Sequence, residues 1–434
     1  MWLINVTTKA LEKFADDYKK PPPYAILSHT WGADHEEISF QELQDGKIKK
    51  GLGQYKFDEC CSQASRDGLS YAWIDTCCID KTNSTELGEA INSMFKWYKH
   101  AEICYAYLYD VNSGEDLENS GSSFRKSRWF QRGWALQELI APATVRFYGR
   151  KWNVLGTKHN LAQTLFQITR IPEPYLLGNF PFHEASVAQR MSWAAGRVTK
   201  REEDLAYCLL EIFGITMPMI YGEGAGAFIR LQRKIASHIG DDSILAWNFG
   251  DGNSTSRPSK ARPVGALAPN PTSFTNSSHI IHADSGGNDF GSLHKDGAIL
   301  SVRRRLHTNS SSQCFVILQC QPEDQQGRFV GIPVQASTGG SHNYLRLAGQ
   351  TTILLPENVP QTDPEDIRIL LRHSEEYNTS TRHNIHIENN IQNDLKLIEV
   401  IPHSNWQQGQ TVFFIDDDAR QGRITRIWTM FQYQ

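Results

Sequence analysis

Two rhythms of apolar and polar residues alternate through the first 150 positions. Short, mostly apolar or aromatic runs at residues 24–31, 71–75, 103–109 and 144–148 have the length and composition of buried strands. Between them the apolar period lengthens to three or four residues. A helix is expected near 53–66. A second is clearer, because Leu87, Ala90, Ile91, Met94, Tyr98 and Ala101 fall on one helical face. Asn83, with Glu86 three residues on, is a candidate N-terminal cap for it. Residues 112–123 read as a polar loop, and 127–141 as a helix that Pro142 stops. Strand–helix alternation of this length predicts an α/β fold, a mostly parallel, flavodoxin-like sheet with right-handed crossovers. Ligands in such sheets gather beyond the carboxyl ends of the strands. Those ends carry Ser28-His29-Thr30-Trp31-Gly32 and Asp75-Thr76-Cys77-Cys78-Ile79-Asp80.

The pattern then changes twice. Residues 160–240 are helical in period: Thr199 to Glu202 spells a capping box before the apolar run 205–210, Gly214 ends that helix, and another spans about 225–238. From 250 to 295 the chain is rich in Ser, Asn, Gly and Pro, as loops and linkers are. Short β-type runs follow at 298–302, 314–318, 329–334, 367–371 and 411–415, spaced as in an antiparallel sandwich or barrel. The expected division is therefore an α/β domain at 1–158, a helical extension at 159–249, a linker at 250–295 and a separate β-rich domain at 296–434.

Composition narrows the function more than the fold. A net charge of −4 over 434 residues gives no electrostatic case for binding nucleic acid. No apolar run is long enough for a membrane span and no secretory signal is visible, so a cytoplasmic protein is expected. The eight cysteines include two neighbouring pairs, Cys60-Cys61 and Cys77-Cys78, which suits buried thiols better than a cross-linked framework.

Three segments carry a resemblance. They are residues 24–32 (Tyr-Ala-Ile-Leu-Ser-His-Thr-Trp-Gly), residues 71–80 with Glu86 beyond, and residues 128–138, which run Arg-Trp-Phe-Gln-Arg-Gly-Trp-Ala-Leu-Gln-Glu. In this order and spacing they resemble the HET (heterokaryon incompatibility) domain of filamentous fungi. Residues 188–224, ending in Tyr221-Gly222-Glu223-Gly224, are similar to the region that follows it in the large fungal incompatibility proteins. The likeness covers about residues 1–250. It implies an effector of programmed cell death that self-associates into a homo-oligomer on activation and answers to an upstream sensor protein. Neither a phosphate loop of the G-x-x-x-x-G-K-[ST] type nor a repeat period is present in the sequence.

HET domains are in turn similar to TIR domains. Many plant TIR domains place a Trp, three residues and then a Glu on the helix after the third strand, and that Glu cleaves NAD. Trp134 and Glu138 have this spacing, with Ala135 where those domains often have Cys. The resemblance thus implies a TIR-like domain acting on NAD or a related nucleotide as substrate rather than as a held cofactor. Glu138 is the candidate catalytic residue, and Ser28, His29, Trp31, Gly32, Asp75, Asp80 and Trp134 are candidates to line its pocket. The chemistry is feasible with few groups, since nicotinamide leaves neutral from a pyridinium cation and needs no general acid. One carboxylate can steady the oxocarbenium-like state.

Plainer explanations compete. A helix carboxylate such as Glu138 is usually a surface group, a strand-end His29 is usually structural, and Asp75 and Asp80 fit ordinary turns. The same domain could then be a non-enzymatic signalling module working by homotypic contacts. Cys77 or Cys78 with His29 could form a thiol nucleophile and base, but no orienting acid can be assigned. Cys60, Cys61, Cys77 and Cys78 lack zinc-site spacing, and no metal is expected. Gly222, Gly224 and Gly226 do not make a dinucleotide fingerprint. Asp416-Asp417-Asp418 reads as a solvated turn and Arg303-Arg304-Arg305 as the charge guard of an edge strand.

Overall fold

The computed structural model describes residues 1–14, 21–249, 262–283, 292–293, 299–309, 311–337, 342–348, 351–356, 363 and 365–370, and four strands beyond 383. Met1–Arg372 forms one compact unit and His373–Gln434 a second.

The first sheet has seven strands: β1 (Trp2–Asn5), β2 (Leu11–Lys13), β3 (Tyr24–His29), β4 (Tyr71–Ile74), β5 (Ile103–Tyr107), β6 (Val145–Tyr148) and β7 (Val154–Thr157), in the order β2-β1-β4-β3-β5-β6-β7. Its middle four pair in parallel, and β1 with β2 on one side and β7 on the other close it antiparallel. Every residue of β3 and β5 is buried, which is why those runs lack strand alternation in the sequence. Taken in chain order, the parallel strands lie 2-1-3-4, so the order reverses between β3 and β5. That reversal is the crevice where doubly wound sheets bind ligands.

Four helices accompany this sheet: α1 (Phe40–Gln44), α2 (Leu52–Arg66), α3 (Ser84–His100) and α4 (Ala135–Ile140). Asn83 does cap α3, its side chain accepting from the N–H groups of Thr85 and Glu86. The Glu86 carboxylate does not complete a box; it accepts from the Asp80 N–H instead. The single helix expected over 127–141 is two pieces, a 3-10 turn at Arg128–Gln131 and α4. Between them Arg132 is extended, with φ −74° and ψ 136°, and Gly133 passes so close to Thr199 and Cys208 that a Cβ would collide with them. Close packing, not propensity, breaks that helix.

The extension is a set of short helices rather than two long ones, and its longest is Gly226–His238. The capping box expected at Thr199 does not form: the Thr199 hydroxyl donates to the Arg201 carbonyl, and the helix starts later, at Asp204–Tyr207. A separate β-rich sheet follows. Strands Ile299–Thr308, Cys314–Ile317, Arg328–Ala336, Asn343–Ala348 and Glu365–Leu370 pair in a ring that closes on itself, barrel fashion. Ile299–Thr308 has a partner on each side, so its arginines do not guard an edge. Arg304 is instead buried on Asp242, Nε to Oδ2 2.7 Å. The second unit holds two hairpins, Asn384–Asn389 with Leu395–Ile401 and Thr411–Phe414 with Ile427–Met430. Asp416-Asp417-Asp418 lies outside the described residues, as do 250–261, 284–291, 294 and 295 of the expected linker.

Candidate functional site

Strand β3 ends on two polar residues that the sheet buries completely, Ser28 and His29. Period-two alternation sends their side chains to opposite faces, and each finds a carboxylate. Ser28 Oγ donates to Glu138 Oε2 at 2.5 Å and accepts the Trp129 indole N–H at 2.7 Å. Glu138 reaches this position from α4, whose residues are all buried. Arg132 closes the group with a bidentate fork, Nη1 to Oε2 2.8 Å and Nη2 to Oε1 3.1 Å. The Glu138 side chain is 3% exposed and that of Arg132 18%, so the arginine is the more exposed member of the pair. Burial works against the Arg132 charge, yet Glu138 and then Asp75 outweigh it and raise its pKa.

On the other face, His29 Nε2 lies 3.0 Å from Asp75 Oδ1, and the Trp31 indole N–H donates to Asp75 Oδ2 at 2.8 Å. Burial alone would raise the Asp75 carboxyl. The His29 hydrogen bond and charge, with Lys81 and Arg132 nearby, overcome that and hold it well below the usual carboxylate range. A third carboxylate, Glu37, accepts from the Gly32 N–H at 2.7 Å and from the buried Lys56 ammonium at 2.5 Å. The Lys81 ammonium sits 3.9 Å from the centre of the Trp31 ring. Three carboxylates, one arginine, two lysines and a histidine therefore converge where the strand order reverses.

Such a cluster can hold hydroxyls, stabilise positive charge and stack an aromatic ring. Residues 24–121 match the family model for heterokaryon incompatibility protein (HET). That stretch is similar to the HET domain. Over 232 residues the chain is 50% identical to vegetative incompatibility protein HET-E-1 of Podospora anserina, covering 52% of this chain and 17% of that protein. The chain thus spans less than a fifth of the length of that relative. No solved structure matches.

The HET match takes in Ser28, His29, Trp31, Gly32, Asp75 and Asp80, while Arg132, Trp134 and Glu138 lie beyond it. The fold brings Ser28 to Glu138, and His29 and Trp31 to Asp75. It does not bring Asp80 to either group, since that carboxylate accepts from Gln41 at 2.7 Å and from Thr82 near the surface. Nor does it bring Trp134, which bonds through its side chain to Asp204 of the extension. The tryptophan on the Ser28–Glu138 group is Trp129.

Sequence reasoning missed Trp129, Arg132, Glu37 and Lys56. Arg132 was in the quoted motif, and its spacing of six from Glu138 gives no sign of contact unless the helix between them is broken. The thiols fit packing: Cys77 donates to the Ile74 carbonyl, and burial pushes it well above the usual thiol range. The Tyr221-Gly222-Glu223-Gly224 turn is held by a carboxylate from upstream, Glu203 accepting from the N–H groups of Gly222 and Gly224. Among the described residues no cluster of His, Cys, Asp and Glu could hold a metal ion, and no helix is long and apolar enough to cross a membrane. A hollow of about 440 Å³ lined by Phe166, Pro172, Glu173 and Leu177 belongs to the extension and includes none of these site residues.

Proposed function

We propose that this chain is an effector of vegetative incompatibility and that its HET domain cleaves NAD at the nicotinamide–ribose bond when self-associated. The observation that carries this reading is the Glu138 carboxylate, buried with Ser28 beside the strand-order reversal. The C1′–N bond breaks with its electron pair leaving on nicotinamide. Water adds to C1′ and gives up a proton, so NAD and water become ADP-ribose, nicotinamide and a proton. A carboxylate beside the ribose stabilises the cationic state through which this passes.

A second reading has its own support. Both Glu138 oxygens are already taken, by Arg132 and by Ser28, as expected of a structural carboxylate in a non-enzymatic module acting by homotypic contacts. NAD consumption by concentrated purified protein, wild type against Glu138→Gln, separates the two when paired with cell killing. Loss of both in the variant supports cleavage. Intact NAD with wild-type protein, and killing retained by the variant, overturns it.

A further inference from the structure

Arg132 and Ser28 together fill three of the roughly four acceptor positions of the Glu138 carboxylate, which leaves too few for two ribose hydroxyls. The two partners differ in accessibility. Glu138 is the more deeply buried and the Arg132 side chain the more exposed of the pair, so a ligand arriving from solvent meets the arginine before the carboxylate. The Arg132 backbone is fixed: its carbonyl accepts from Arg197 at 3.1 Å, and the Gly133 N–H donates to the Val198 carbonyl at 2.8 Å. Any release of Glu138 is then a swing of the side chain alone.

The planar fork that fits a carboxylate fits phosphate oxygens equally well. From these observations, and resting on the NAD reading above, the geometry points to Arg132 as the residue that binds the diphosphate of the dinucleotide. Glu138 is its resting place. A diphosphate offers more negative charge than one carboxylate and draws the guanidinium outward. Glu138, left with Ser28 alone, then accepts the ribose hydroxyls. The same arrangement sets the substrate class. A nicotinamide ribonucleoside has nothing to exchange for Arg132 and meets a carboxylate that stays occupied. Lys81, above the Trp31 ring, adds a second positive charge near Asp75.

The test uses the full chain and three compounds: NAD, nicotinamide riboside, and ADP-ribose, which has the diphosphate but no scissile bond. ADP-ribose binding is measured by calorimetry for wild type, Arg132→Ala and Arg132→Lys, each checked for a native melting transition. Binding is expected to weaken about tenfold or more in Arg132→Ala, the scale of one lost charge-assisted fork. Arg132→Lys, which keeps the charge without the fork, falls between and serves should the alanine variant not fold. In wild type kcat/KM strongly favours NAD over the riboside, and Arg132→Ala narrows that preference at least tenfold. Equal ADP-ribose binding by wild type and both variants, or no binding by wild type, overturns the assignment. Absence of NAD cleavage by wild type overturns the cleavage reading instead, and ADP-ribose binding still decides the role of Arg132.

Discussion

The Trp129 indole N–H donates to the Ser28 hydroxyl over 2.7 Å, and this fixes where the hydroxyl proton goes. With one lone pair of Ser28 engaged, its O–H points to Glu138. Ser28→Ala strands the buried Trp129 indole N–H and removes one of the two donors on Glu138 Oε2. An unsatisfied buried group costs about 1–3 kcal/mol, so the variant should lose roughly 2 kcal/mol. Urea denaturation reads this directly, and a loss within 0.5 kcal/mol (roughly the scale of a surface substitution) would mean that the chain of bonds is not maintained in solution.

The Arg132–Glu138 pair should behave as one unit. Removing a single partner of a buried pair costs about 3–5 kcal/mol because the other is stranded, while replacing both is often close to neutral. Arg132→Met and Glu138→Gln should therefore each destabilise the protein, and the double variant should recover much of the loss. Simple additivity in denaturant midpoints would exclude the coupling.

Lys158 gives a pH signature. Burial pulls its ammonium down to about 8, and its Nζ donates to the carbonyls of Leu139 and Pro142 behind α4. A lysine lowered by folding is protonated in the unfolded chain and neutral in the native one between about 8 and 10.5. The unfolded state then binds more protons, and stability rises with pH across that window. Lys158→Met lacks this term. The melting temperature of wild type relative to Lys158→Met should climb from pH 8 to 10; a constant difference would place the ammonium in solvent.

The cysteines should resist modification. All eight are free, seven are buried, and Cys314 is half-buried. Burial raises Cys60 well above the usual thiol range and Cys61 to about 12, so neither supplies thiolate at neutral pH. Titration of the native protein with a disulfide reagent should yield about one fast thiol, with the remainder appearing only on denaturation. Rapid reaction at Cys77 or Cys78 would revive a thiol mechanism.

The parallel strands and α3 were legible because period and burial agree there: β3 and β5 are apolar along their whole length, and Asn83 marks the start of α3. Hairpin β1–β2 was not, since four residues and three residues fall below the length at which alternation can be recognised. The site was legible by halves. Ser28, Glu138, His29, Trp31 and Asp75 could be named, but their pairing depends on α4 beginning at Ala135 rather than near residue 127. Trp134 and Asp80 illustrate the limit. Each occupies a motif position, yet each side chain turns to a different neighbour, a direction that spacing along a chain does not encode.

The contact of Gln131–Gly133 with Arg197 and Val198 also sets what can be transplanted. Val198 is 63% exposed, yet its backbone bonds to Gln131 and Gly133 from across a sequence gap of more than sixty residues. A gene fusion that ended this chain at 158 would keep Glu138 and lose the groups that hold the Arg132 backbone. The smallest exchangeable cassette therefore runs past residue 198, and since Ser186 donates to the Ile280 carbonyl and Arg304 pairs with Asp242, recombination that respects the site would find its seam after Arg372.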